Sequence, residues 1–191
     1  RASTGVRGMN LAEGDQVISM SMLRHTDTTP EERRAYLKRA KAERGGEEAA
    51  EEAAAEPPAE DEGAEEGAEV QLTDERYAAM KKNEEFILAV AEDGYGKLTS
   101  AYEYRITGRG GKGIVNLILD RARGAPASHT IAAFPAAAGD QLLLVTKQGQ
   151  IIRTPVDGIR VAGRSTRGVV IFRIDDGDKV VSVSRLREDE G

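Results

Sequence analysis

Cysteine is absent from this chain of 191 residues, and histidine is nearly so. Without cysteine there is no disulfide framework and no thiolate zinc site. The two histidines, His25 and His129, lie 104 residues apart, and neither has a second histidine or a carboxylate cluster at ligand spacing. The sequence therefore predicts no metal site.

Long apolar runs are also missing. No stretch approaches the roughly 20 apolar residues of a membrane-spanning helix, and no signal peptide opens the sequence. We therefore expect a cytoplasmic protein with no membrane contact. The sequence begins at Arg1 inside a repeated motif, so we take it as part of a longer chain.

Acidic charge is concentrated in one segment. Residues 47–69 hold eleven acidic groups and no basic one, whereas the net charge is -6, so the remaining residues carry +5. The segment is rich in Glu and Ala and poor in apolar groups, which predicts disorder. Helices are predicted on both sides of it, one from Thr29 as N-cap to Gly45, the other from Thr73 to Asn83. Together they make residues 24–83 an acidic insertion.

The rest of the chain has the pattern of β-strands. Short runs such as FILAVA, QLLLVT and KVVSVS are separated by glycine turns. The sequence also repeats without a gap at an offset of 55 residues, which aligns Gly94 with Gly149 and Gly108 with Gly163. A partial third copy, residues 1–20, matches residues 164–183. Such a period predicts an all-β, propeller-like fold of four-stranded blades.

The repeat sets the predicted boundaries. Residues 1–23 end a preceding blade, residues 84–135 and 136–187 form two blades, and residues 188–191 are an acidic tail. The strands are expected at 87–91, 95–99, 114–119 and 130–134, and again at 142–146, 150–154, 169–174 and 180–185. Gly5, Gly113 and Gly168 occupy equivalent positions and are interpreted as turn glycines that enter a strand.

One loop, ITGRGGKGIV, contains the spacing G-x-G-x-x-G. A dinucleotide site needs a helix after this loop, but a strand is predicted there, and no Walker A pattern is present. We therefore predict no cofactor. The feature common to both copies is basic: Arg105, Arg109 and Lys112 align with Arg160, Arg164 and Arg167. Cations repeated on tight turns favour a long polyanion, and duplex DNA is the predicted partner. Arg121 and Arg123 either extend this surface or lie in a solvated loop.

The motifs TGVRG, GYGKLTSAYEYRITGRGGKGI and GQIIRTPVDGIRVAGRSTRGVVIFR resemble the C-terminal domain of DNA gyrase A, over residues 1–23 and 84–187. That domain is a β-pinwheel that wraps DNA around its basic rim. Its diagnostic heptad is Gln-Arg-Arg-Gly-Gly-Lys-Gly. Residues 109–113 match the last five positions, but Thr107 and Gly108 differ, which identifies a degenerate copy from a later blade.

The resemblance implies DNA binding without sequence preference, a right-handed wrap, and support of ATP-dependent negative supercoiling in the bacterial nucleoid. The implied partners are the rest of gyrase A and the gyrase B protein in an A2B2 assembly. Catalysis lies elsewhere in that family, so Tyr95, Tyr102 and Tyr104 are interpreted as residues that pack against a neighbouring blade. Two alternatives stay open: the related domain of topoisomerase IV, and a protein-interaction scaffold. The acidic segment is either a tolerated loop extension at a blade edge or a competitor of DNA for the basic rim. In the second case, deleting residues 45–72 tightens DNA binding at low salt.

Overall fold

The computed structural model describes residues 2–45, 70–120 and 128–187. The segment predicted to be disordered, together with Arg121, Arg123 and the acidic tail, lies outside the described residues. Within the described part, no helix is both long enough and apolar enough to cross a membrane.

The described strands form two antiparallel sheets. The first has the order β3-β1-β2-β6 and the second the order β5-β4-β7. The bounds are β1 Phe86–Ala91, β2 Tyr95–Ser100, β3 Thr130–Ala136, β4 Gln141–Thr146, β5 Ile151–Pro155, β6 Val169–Val170 and β7 Val180–Leu186. Both sheets show the same register irregularity, between Val90 and Ala91 in β1 and between Val145 and Thr146 in β4. These positions are 55 residues apart, so the sequence repeat is also a structural repeat.

The fourth strand of the first sheet comes from the other repeat. β6 belongs to the second repeat by sequence, yet it pairs with β2 of the first, where Tyr95 lies opposite Val170 and Gly96 opposite Val169. The sheets therefore do not follow the repeat boundaries. The backbone hydrogen bonds between β6 and β2 therefore connect the two repeats.

The strand predicted at residues 114–119 is wrong, and the strand predicted at 169–174 is shorter than expected. Residues 112–120 have no regular secondary structure, and β6 has only two residues. An apolar run needs a neighbouring strand with free backbone groups before it can join a ladder. By the 55-residue offset, residues 114–115 are the equivalents of β6, but no described strand pairs with them as β2 pairs with β6, and residues 114–119 remain irregular.

A single hydrophobic core lies between the sheets. Leu88 and Val90 from β1 meet Leu142 and Leu144 from β4, and all four are fully buried. At about 25 cal/mol per Å² of apolar surface, side chains of this size each contribute roughly 1.5 to 3 kcal/mol. This core holds the turns between the strands in fixed positions.

Both predicted helices are present. Helix α1 spans Pro30–Arg44 and helix α2 spans Asp74–Lys82. The Thr29 hydroxyl accepts a hydrogen bond from the Glu32 amide at 3.2 Å, and the Glu32 carboxylate accepts one from the Thr29 amide at 3.0 Å. This reciprocal capping box satisfies two amides that have no partner within the helix. At α2 there is one such bond, from the Arg76 amide to the Thr73 hydroxyl at 3.2 Å.

The helices contain a second hydrophobic cluster that the sequence pattern did not indicate. Tyr36 and Ala40 of α1 pack against Tyr77 and Met80 of α2, and Tyr102 completes the cluster. Tyr102 lies in a short 3-10 turn, Ala101–Glu103, that follows β2. Its expected contact with a neighbouring blade is therefore wrong, because its ring packs edge-on against Tyr36 of the insertion.

Candidate nucleic-acid interface

The second basic turn, residues 160–168, lies directly against strand β2. The Leu98 amide donates to the Arg160 carbonyl at 3.0 Å, and the Ala162 amide donates back to the Leu98 carbonyl at 2.8 Å. The Thr99 hydroxyl adds a bond to the Ala162 carbonyl at 3.1 Å. The strand therefore holds the backbone just before Arg164 by three hydrogen bonds.

A buried lysine supports the centre of this turn. Lys97 of β2 is fully buried, and its ammonium donates to the Gly163 carbonyl, to the Arg164 carbonyl at 2.6 Å and to the Thr166 hydroxyl at 2.9 Å. Burying an ammonium is costly unless its protons are bonded, and charge-assisted bonds are stronger than neutral ones. These bonds hold the turn carbonyls toward the protein interior.

Arg164 is held by hydrogen bonds at its backbone amide and at its guanidinium group. Its amide donates to the Glu103 carboxylate at 2.8 Å, and its guanidinium donates to the Val115 carbonyl at 3.3 Å. The side chain is half-buried, whereas Arg167 is exposed. The turn therefore places one cation in a set position and a second one at the surface.

Gly168 is where the turn meets β6, and only glycine fits there. Its φ is 71°, a value that favours glycine. A Cβ atom at this position would lie 2.6 Å from the Gly96 carbonyl oxygen of β2. The exchange of β6 into the first sheet thus depends on two glycines that face each other.

The first basic turn, residues 108–113, has the same glycine frame but a different environment. Gly110 and Gly113 have φ values of 77° and 82°, and Arg109 and Lys112 are exposed. The Gly110 amide donates to the Gly8 carbonyl, and the Asn10 amide donates to the Gly111 carbonyl, both at 2.9 Å. The equivalent glycine near the start of the chain, Gly5, has a φ of 74°.

The two turns are neighbours in the fold. The Ile118 amide, just after the first turn, donates to the Thr166 carbonyl of the second at 2.9 Å. The 3-10 turn also connects them, because Glu103 binds the Arg164 amide and Tyr104 leads into Arg105. Segments before and after the first turn therefore contact the second turn. Arg105, Arg109, Lys112 and Arg167 are exposed, and Arg160 and Arg164 are half-buried.

Tyr104 occupies the junction between the turns. Its hydroxyl donates to the Asn116 side-chain oxygen, and burial raises the pKa of this phenol to about 12. The side chain therefore stays neutral near pH 7. Its position is structural, which agrees with a packing role.

Sequence reasoning missed Lys97 and Glu103. The repeat gave no signal for the lysine, because Ile152 occupies the equivalent position in the second repeat. A lysine in a buried strand needs hydrogen-bond partners for its ammonium group. The position of Lys97 within a strand is therefore the one sequence feature that could have indicated its role. Arg121 and Arg123 are outside the described residues, so their contribution stays a prediction.

Comparison with known proteins identifies related sequences. The pattern of one family, described as "DNA gyrase C-terminal domain, beta-propeller", matches residues 1–24, 85–117 and 140–187, which is more than half of the chain. The DNA gyrase A protein of Granulibacter bethesdensis is 46% identical over 193 residues, and the match covers 100% of this chain but only 20% of that protein. The similarity to this relative includes the insertion, which the family pattern omits.

Two solved structures are similar in part. A DNA gyrase A C-terminal domain is 28% identical with a TM-score of 0.47, over 55% of this chain and 34% of its own. The C-terminal domain of a DNA topoisomerase IV is 23% identical with a TM-score of 0.48, over 54% and 31% respectively.

Proposed function

The chain belongs to the family of DNA gyrase C-terminal domains, and on that premise we propose that it binds duplex DNA through the phosphate backbone and bends it around the two basic turns. Recognition is independent of base sequence, because cations on turns contact phosphates and carry no pattern for reading base edges. The DNA-contacting residues are those of the two turns.

One observation carries this proposal. The two turns carry cations that align at the 55-residue offset, and the Ile118 amide, five residues after the first turn, donates a hydrogen bond to the Thr166 carbonyl of the second. A protein-interaction scaffold needs no such repetition of charge. A periodic polyanion makes equivalent contacts at each turn, so duplex DNA fits the arrangement.

The energetics require several contacts at once. Each phosphate contact contributes about -0.9 to the slope of log affinity against log salt concentration, so six contacts correspond to a slope of about -5. Smooth bending of 20 to 30 base pairs costs on the order of 1 to 6 kcal/mol. The pre-set position of Arg164 lowers the entropy lost on binding, because its backbone is already ordered.

The chain spans only 20% of the length of its relative, so the activity of the whole protein belongs to this proposal too. We propose that the parent chain is the gyrase A protein of an ATP-dependent gyrase that introduces negative supercoils, in an A2B2 assembly with the gyrase B protein in the cytoplasm. This proposal is based on the curated relatives, which are DNA gyrase A proteins. Their similarity favours gyrase over topoisomerase IV as the parent enzyme.

The test is a salt series with a random-sequence duplex of about 40 base pairs. The turn variant carries Glu at Arg109, Lys112, Arg164 and Arg167. The matched control carries the same change of charge at four other exposed cations: Lys147, Arg153, Arg173 and Arg187. We expect the turn variant to flatten the slope by about 3 to 4 and the control to change it far less.

Equal slopes for the two variants would show that net charge alone drives binding, which contradicts the proposal. The same conclusion follows if the unmodified chain fails to bind DNA at low salt.

A further inference from the structure

The two helices of the insertion pack on a junction segment, residues 102–104, that lies just after β2. The Tyr36 ring of α1 is fully buried and lies edge-on to the Tyr102 ring, with the ring centroids 5.1 Å apart. The Arg33 guanidinium of the same helix donates to the Tyr104 carbonyl at 3.3 Å. Side chains of α1 therefore contact both ends of the junction segment.

Further bonds fix the helices at this place. The Tyr102 hydroxyl donates to the Met80 carbonyl of α2 at 3.0 Å. The Tyr36 hydroxyl donates to a carboxylate oxygen of Glu84 at 2.8 Å, and the Arg44 guanidinium donates to the same oxygen at 2.5 Å. The Glu84 side chain is only 3% exposed, and bonds to a charged group are stronger than neutral ones. Because Glu84 lies two residues before β1, these bonds set the position of Tyr36 relative to the first sheet.

The junction segment also contacts both basic turns. The Glu103 carboxylate accepts a hydrogen bond from the Arg164 amide of the second turn at 2.8 Å. The Tyr104 hydroxyl donates to the side-chain oxygen of Asn116, just after the first turn. The residue that follows the junction segment is Arg105, which leads into the first turn. Three residues thus connect α1 to both turns.

The conformation of the junction segment depends on such tertiary contacts. A single helical turn has too few internal hydrogen bonds to be stable alone, and the two helices supply contacts to Tyr102 and Tyr104. Without these contacts, Glu103 would no longer hold the Arg164 amide in one place. The second turn would then be ordered only when DNA binds, at an entropic cost.

We infer that the two helices are a positioning element for DNA binding, in which Tyr36 and Arg33 hold the junction segment and, through it, both basic turns. This inference rests on the proposed function. Tyr36 and Arg33 are positioning residues, since they act through the junction segment and need no contact with the duplex.

The experiment uses the full chain and two pairs of variants. Tyr36→Ala removes the ring from Tyr102 without a change of charge, and its control, Tyr36→Phe, keeps the ring. Arg33→Met removes the bond to the Tyr104 carbonyl. Its control, Lys41→Met, removes the same charge from an exposed position of α1. Circular dichroism checks the helix content of each variant, and Arg33→Met decides the outcome if Tyr36→Ala loses its helices.

The first measurement is the Kd for the random-sequence duplex at one low salt concentration. We expect the Kd to rise about tenfold for Tyr36→Ala and about threefold for Arg33→Met. Both controls should stay within about twofold of the unmodified chain. A purely structural role would lower the stability towards urea and leave the Kd unchanged, because Tyr36→Ala alters no charge.

Hydrogen exchange without DNA is the second measurement. The Arg164 amide should exchange about tenfold faster in Tyr36→Ala and in Arg33→Met, while the amides of β4 in the core keep their protection. Lys41→Met should leave the Arg164 amide unchanged.

Three outcomes would overturn the inference while the proposed function stands. The first is an unchanged Kd and unchanged exchange in both positioning variants. The second is faster exchange with an unchanged Kd, because the arrangement of the turns would then not affect binding. The third is an equal rise in Kd for Arg33→Met and Lys41→Met, because loss of charge would then account for it. Absence of DNA binding by the unmodified chain would contradict both the inference and the proposed function.

Discussion

The two basic turns have the same glycine frame and matching cations, yet they are supported in different ways. The second turn lies on β2, with Lys97 bonded beneath it and Glu103 at the Arg164 amide. The first turn is exposed along residues 105–113 and is held by backbone bonds to Gly8 and Asn10. The final glycine of each turn has a similar positive φ, 82° at Gly113 and 71° at Gly168, but Gly110 also has a positive φ where the second turn has Ser165, and the support of the two turns differs.

Under the proposed function, this difference gives two ways of presenting a cation to a phosphate. A turn fixed by buried bonds loses little entropy when its arginine meets a phosphate, whereas an exposed turn must be ordered at the moment of binding. The second turn is thus expected to contribute more affinity per cation. Substitutions that affect one turn and leave the other intact test this.

The largest expected effect comes from Gly168→Ala. The added Cβ atom would meet the Gly96 carbonyl at 2.6 Å, and the φ of 71° is unfavourable for alanine. We expect a loss of about 3 kcal/mol in the free energy of unfolding by urea. The equivalent Gly113→Ala change meets open space and should cost about 1 kcal/mol. Gly108→Ala, also in open space, is the control. Similar losses for Gly168→Ala and Gly113→Ala would show that the turns are equally supported.

Lys97→Met should have the next largest effect. It removes the ammonium from the Gly163 and Arg164 carbonyls, and leaving buried acceptors without donors costs about 2 kcal/mol. The DNA salt slope should also fall by about 2, because the turn that carries Arg164 and Arg167 loses its support. Lys112→Met in the first turn is the matched control, with unchanged stability and a slope change of about 0.9. If Lys97→Met alters stability but leaves the slope intact, Lys97 does not position the cations.

Asn10→Pro tests the support of the first turn. Proline has no amide hydrogen to donate to the Gly111 carbonyl, so the exposed bond at 2.9 Å is lost. We expect a cost below about 1 kcal/mol and faster hydrogen exchange at the Gly110 amide, with the second turn unaffected. Asn10→Ala keeps the amide and should behave as wild type. Slower or unchanged exchange at Gly110 would contradict this account.

The smallest effect at neutral pH concerns Tyr104, at the junction of the turns, and the three tyrosines of the helix cluster. Burial raises the pKa of Tyr104 to about 12 and also raises the pKa values of Tyr36, Tyr77 and Tyr102. The folded state holds these phenols neutral, so their contribution to stability is complete below pH 10 and is lost as the pH rises through the folded values. Near pH 10.5 the native chain should absorb less at 295 nm than the urea-unfolded chain. Tyr104→Phe should remove the step near pH 12. Equal absorbance in the two states would refute the raised values.

Much of the fold was predictable from local pattern. The helix caps at Thr29 and Thr73, the strand hairpins and the 55-residue repeat all follow from short-range rules about hydrogen bonding and apolar alternation. The irregular backbone at 114–119 was not predictable in the same way, because its composition suits a strand but no described strand pairs with it. The aromatic cluster of Tyr36, Tyr77 and Tyr102 joins residues far apart in sequence, so periodicity within one helix does not reveal it.

Some features of the candidate site also follow from the sequence, and others depend on the tertiary structure. The sequence by itself determined which cations repeat and that glycines permit the turns, since positive φ and charge are properties of single residues. Only the tertiary structure decided that Lys97 lies beneath one turn and that α1 is attached beside both. Those relations depend on which strand edge is occupied and which buried groups need partners, and long-range packing settles both.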